Sequence, residues 1–90
     1  MISLQEAKDA IYGEHDLPPH VQRALPDLPQ FSTRVDGAAL IHRFYGVPVA
    51  PRTLEKWPLA FFKINGWAVT PTVHLLSVAN AKLNSAIAAA

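Results

Sequence analysis

The sequence predicts a mainly helical fold with one small β-hairpin, and three features of the chain point to it. Apolar residues recur at helical spacing over residues 38–45 and again over 73–83. Gly46 and Pro51 bracket a break between two helical stretches, the first where a helix commonly ends and the second where one commonly begins. Asn65-Gly66 then separates two short apolar runs, a strong hairpin signal because both residues tolerate positive φ.

In chain order, Ser3-Leu4-Gln5-Glu6 is a capping-box pattern, which predicts a short helix to about Tyr12 before Gly13 stops it. Pro18 and Pro19 open a one-turn helix through His20–Leu25, and Pro26 ends it. Residues 1–34 thus read as an acidic, proline-rich arm with short helices. Its Ile11, Leu17, Val21, Leu25 and Phe31 are too apolar for a bare linker, so the arm is expected to pack on a surface. Asp36 is the expected N-cap of the next helix, whose apolar face is Ala38, Ala39, Leu40, Ile41, Phe44 and Tyr45. After Gly46, the segment Val47-Pro48-Val49 cannot continue that helix. Pro51 then starts a second helix that runs through Trp57 until Pro58 ends it.

Phe61–Ile64 reads as a strand and Trp67–Val69 as its return. Thr70 is the expected cap and Pro71 the first residue of a third helix, with Val73, Leu75, Leu76, Val78, Ala79 and Leu83 as its buried stripe. Residues 84–90 form a small, alanine-rich tail that prolongs it. Helix, tight turn, helix, hairpin, helix is the order of a winged helix-turn-helix, here spanning residues 35–83.

Ninety residues, half of them hydrophobic, suit one small ordered domain. The absence of cysteine excludes disulfides and thiolate metal sites and agrees with a reducing cytoplasm. The expected location is cytoplasmic, because no apolar run approaches the roughly 20 residues of a membrane helix and the first residues lack a signal-peptide pattern. Charge is divided unevenly. Residues 1–33 carry Lys8 and Arg23 against five carboxylates, a balance of −3; residues 34–90 carry six cations against Asp36 and Glu55, a balance of +4. A basic body behind an acidic leader suits a polyanionic partner.

The stretches Asp36-Gly37-Ala38-Ala39-Leu40, Tyr45-Gly46-Val47, Pro51-Arg52-Thr53-Leu54-Glu55-Lys56-Trp57 and Lys63-Ile64-Asn65-Gly66 resemble the MerR-like excisionase families. These comprise the recombination directionality factors and their AlpA-type regulatory relatives. The resemblance covers roughly residues 35–82. It implies a non-enzymatic protein that binds double-stranded DNA head-to-tail at sites beside an attachment site, bends it, and biases an integrase toward excision. A transcriptional regulator of the same superfamily is the alternative it leaves open. Two positions depart from the family pattern: Ala50 stands where a serine cap is common, and Trp67 where many relatives carry arginine.

In such an architecture the second helix enters the major groove, which displays a distinct pattern for each base pair. Arg52 is the expected base reader, since its planar fork spans two guanine acceptors. Thr53 suits a thymine methyl or a phosphate, and Lys56, on the same helical face as Arg52, a phosphate or a guanine. Lys63, Asn65 and Gly66 are the wing's candidates, and Arg43 and Arg34 candidate phosphate contacts on the first long helix. Each has a plainer alternative: a solvated side chain, a surface pair such as Arg52 with Glu55, or a turn residue. Trp67 is expected to pack over the third helix, or else to touch the sugar-phosphate chain, and Trp57 to lie in the core.

No cofactor or metal is expected, since His15, His20, His42 and His74 lack ligand spacing and no phosphate loop or nucleophile motif is present. For the arm two surfaces are open: its own domain, or the next copy in a head-to-tail array. A third reading, from another class, is a protein-interaction module that has kept the fold without binding DNA.

Overall fold

The computed structural model describes residues 17–89. Their elements run α1 (Pro19–Ala24), a 3₁₀ turn (Leu25–Asp27), β1 (Phe31–Ser32), α2 (Arg34–Tyr45), α3 (Pro51–Leu54), β2 (Phe62–Ile64), β3 (Trp67–Pro71) and α4 (Thr72–Ala89). The fold is mainly helical with a small three-stranded antiparallel sheet of order β1-β3-β2. The helix expected between Ser3 and Tyr12 lies outside the described residues.

Proline chemistry shapes the first helix much as the sequence suggests. Pro19 occupies its first turn, where the missing N–H costs nothing. Pro26 turns the continuation into a single 3₁₀ turn that closes with Leu28 N–H donating to the Leu25 carbonyl at 3.1 Å. This segment folds back on its own domain. Leu17, Val21 and Leu76 form one fully enclosed cluster, with Leu25, Leu28, Leu40 and Phe44 packed around it. The described half of the arm is thus part of the core.

Thr33, not Asp36, caps α2. Its hydroxyl accepts a hydrogen bond from the Asp36 N–H at 3.2 Å, which places Asp36 inside the first turn, where its charge faces the positive end of the helix dipole. At the far end Gly46 adopts φ 70°, the left-handed conformation that ends the helix without a Cβ clash, and its N–H reaches the His42 carbonyl at 2.9 Å. The inward face of α2 contributes Ala38 and Ile41 to a second cluster with Leu54, Leu75 and Ala79. Adjacent residues of α4 therefore serve different clusters, Leu75 this one and Leu76 that of α1. Burying each such side chain contributes about 1.5–3 kcal/mol.

The sheet departs from expectation in two ways. β1 is a two-residue strand with no periodicity to announce it, and it turns the expected hairpin into three strands. Thr70 and Pro71 do not start α4. They complete β3, with Ser32 opposite Thr70 and Phe31 opposite Pro71, and Thr72 N–H extends the ladder to the Gln30 carbonyl at 2.9 Å. Pairing with a strand 40 residues away outcompetes the local capping tendency. One sheet face buries Ser32 and Thr70, and there Ser32 Oγ and Thr72 Oγ1 share a hydrogen bond of 2.6 Å. The other face carries Phe31, Phe62, Val69, Ile64 and Trp67, with the Phe31 and Phe62 rings edge-to-face at 6.3 Å.

Candidate nucleic-acid interface

Helix α3 is shorter than the sequence predicts, and Pro58 is the reason. Continuing an α-helix would require an N–H at residue 58 for the Leu54 carbonyl, and proline has none. The chain tightens instead. Glu55 N–H donates to Arg52 O at 3.2 Å, Lys56 N–H to Thr53 O at 3.1 Å and Trp57 N–H to Leu54 O at 3.3 Å. These are bonds to the third preceding residue, in which side chains three apart eclipse. Leu54 and Trp57 therefore share the inward row, Leu54 fully buried and Trp57 half-buried against the core. Arg52, Thr53, Glu55 and Lys56 lie outside that row. All four outward side chains are exposed. Pro51 takes the first helical position, and Ala50 before it provides no side-chain cap.

The hairpin follows its turn chemistry. Asn65 at φ 50° and Gly66 at φ 81° are the two left-handed residues of a two-residue loop, which joins strands pairing Phe62 with Val69, Lys63 with Ala68 and Ile64 with Trp67. Lys63, Asn65 and Gly66 are exposed at its end. Trp67 corrects an expectation: it does not pack over α4. It is 67% exposed beside Ile64 at 45%, and borders an open groove with Thr33–Asp36 at the start of α2.

Arg34 and Arg43 sit at opposite ends of α2, nine residues or roughly 14 Å apart along its axis. The Arg34 guanidinium lies 4.5 Å from the centre of the Phe61 ring, and its Nε is buried without a partner. Arg43 is exposed and lies 5.1 Å from the Phe44 ring, in the last turn where a cation favours the helix dipole. Arg34 therefore joins the wing side of the molecule, and Arg43 does not. Lys82 Nζ is 5.4 Å from the Trp57 ring centre, which ties α4 to the end of α3.

Two of the histidines among the described residues, His20 and His74, hold backbone groups. His20 Nε2 is 2.9 Å from the Phe44 carbonyl oxygen, and His74 Nε2 accepts from the Ala60 N–H at 3.2 Å. Among the described residues no three histidine or carboxylate side chains converge as a metal would require, and no helix is long and apolar enough to cross a membrane. The exposure of Trp67 is the feature of this end that the expected packing over the third helix missed. Its signal was present, since a residue adjoining a two-residue hairpin turn on an outer sheet face has little to pack against. Comparison with protein-family models, curated proteins and solved structures finds nothing similar to this chain.

Proposed function

We propose that this chain is a non-enzymatic winged helix-turn-helix protein that binds double-stranded DNA, and that it acts as an architectural factor of the excisionase type. The observation that carries the reading is the seating of the turn 51–57. Leu54 anchors it in the core while Arg52, Thr53 and Lys56 stand free in solvent. A short basic rod pinned by one buried leucine is suited to insertion in a major groove. Charge agrees with this. From residue 56 to residue 90 the chain has Lys56, Lys63 and Lys82 and no carboxylate side chain, so phosphates meet no opposing charge there. The element order α2-α3-β2-β3-α4 is compatible with the architecture. The partners proposed with it are an integrase and neighbouring copies of the chain on the DNA.

Duplex binding measured against ionic strength tests the reading. Affinity is expected to fall linearly on logarithmic axes with salt, and Lys56→Ala to reduce that slope by about 1. Arg52→Ala is expected to cost about 1–3 kcal/mol on a specific site and to relax base preference at one position. A footprint that lengthens with protein concentration marks the architectural role; a single symmetric footprint marks a regulator. Salt-independent affinity, or none for any duplex, rejects DNA binding and leaves an interaction module.

A further inference from the structure

We infer that the wing is a wedge: Trp67, assisted by Ile64, enters the minor groove of the bound duplex and partly unstacks a base step, producing a local kink. The inference rests on the DNA-binding reading and adds to it the site and means of bending. Trp67 and Ile64 are cross-strand partners directly beside the Asn65-Gly66 turn, so their side chains stand together on one face at the hairpin's end. At 67% and 45% exposure they are among the most exposed large apolar side chains of the described residues. An apolar pair at the tip of a projecting hairpin gains nothing from water. It has the chemistry of the side chains that minor-groove proteins insert between base steps.

Shape and charge favour the same occupant. A two-stranded ribbon is as wide as a major groove, so only the side chains at the hairpin's end, the indole first, enter the roughly 6 Å minor groove. The turn is held rigid by two left-handed residues, so little freedom is lost on insertion. Lys63 projects from the opposite face of the same hairpin, where it meets phosphate while the indole faces the bases. Asp36, the one carboxylate among the described residues that line the groove beside Trp67, sets the limit of approach on that side.

The test uses the full chain and a duplex of about 25 base pairs labelled with a fluorophore pair at its ends. Energy transfer reads bending and anisotropy reads binding. The wild type is expected to bend the duplex by about 20° or more. Trp67→Ala is expected to lose the bend while keeping the wild-type salt slope, and Trp67→Arg to lose the bend while steepening that slope by about 1. Trp67 is exposed, so both variants are expected to fold, and circular dichroism checks it. Retention of the bend by both variants overturns the wedge and leaves the DNA-binding reading standing. Loss of cooperative binding with the bend intact also overturns it, and assigns Trp67 to a contact between neighbouring copies. Absence of salt-dependent binding by the wild type removes both readings together.

Discussion

Replacing Thr70 by valine should make this protein more stable. Thr70 is 1% exposed, and its Oγ1 is buried without a hydrogen-bond partner. Beside it, Ser32 and Thr72 satisfy one another at 2.6 Å and leave the third hydroxyl of the cluster unmatched. A buried hydroxyl that has left water and found no partner costs about 1–3 kcal/mol. Valine keeps the branched shape that a strand favours, removes that penalty and buries one more methyl, worth about 0.8 kcal/mol. The expected gain is about 1–2 kcal/mol after local strain, which raises Tm by roughly 4–8 °C per kcal/mol in a domain of this size. Urea titration followed by tryptophan fluorescence measures it, with the slope unchanged if only the native state is affected. Ser32→Ala is the counter-experiment: it strands the Thr72 hydroxyl and should cost about 1–3 kcal/mol. A Thr70→Val protein less stable than wild type by ~0.5 kcal/mol or more would refute the reasoning, because the hydroxyl would then have to be satisfied.

Leu54→Ala removes the fully buried anchor of α3 and should cost about 2–5 kcal/mol by urea titration. Even where it stays folded at low temperature, its DNA affinity should fall because the turn 51–57 loses its seat. Tyr45 gives a pH dependence. Its hydroxyl donates to the Leu76 carbonyl at 2.9 Å, and burial pushes its pKa from 10.0 up to about 12. The native state therefore holds the neutral phenol more firmly than the unfolded chain does. This contribution is complete below about pH 10 and is lost as pH climbs from there toward 12. Tyr45→Phe should abolish that part of the alkaline loss, while lowering neutral-pH stability by about 0.5–1.5 kcal/mol for the missing hydrogen bond. Unfolding midpoints between pH 8 and pH 12 of wild type and variant should thus converge; parallel curves would exclude Tyr45 as the group responsible.

What the sequence alone determined were the features whose causes are local. Gly46 stops α2 because a residue without Cβ enters the left-handed region at little cost, and Asn65-Gly66 closes the hairpin for the same reason. Pro51 starts α3 and Pro26 ends α1 through a fixed φ and a missing donor. The exposure of Arg52, Thr53, Lys56, Lys63 and Asn65 also follows from residue type and from the leucine that faces inward between them.

Only the tertiary structure decided what depends on distant partners. The two residues of β1 carry no pattern, and become a strand because β3 offers them a ladder. That same ladder takes Thr70 and Pro71 from the helix they were expected to begin, and buries Ser32 and Thr72, which by type belong in solvent. Arm residues Leu17 and Val21 find their place against Leu76, nearly 60 positions away. Trp67 stays outside because its neighbours on the sheet's outer face leave it nothing to pack beneath. Turn geometry is written in the φ preference of one or two residues. Burial is set by the sum of contacts across the whole chain.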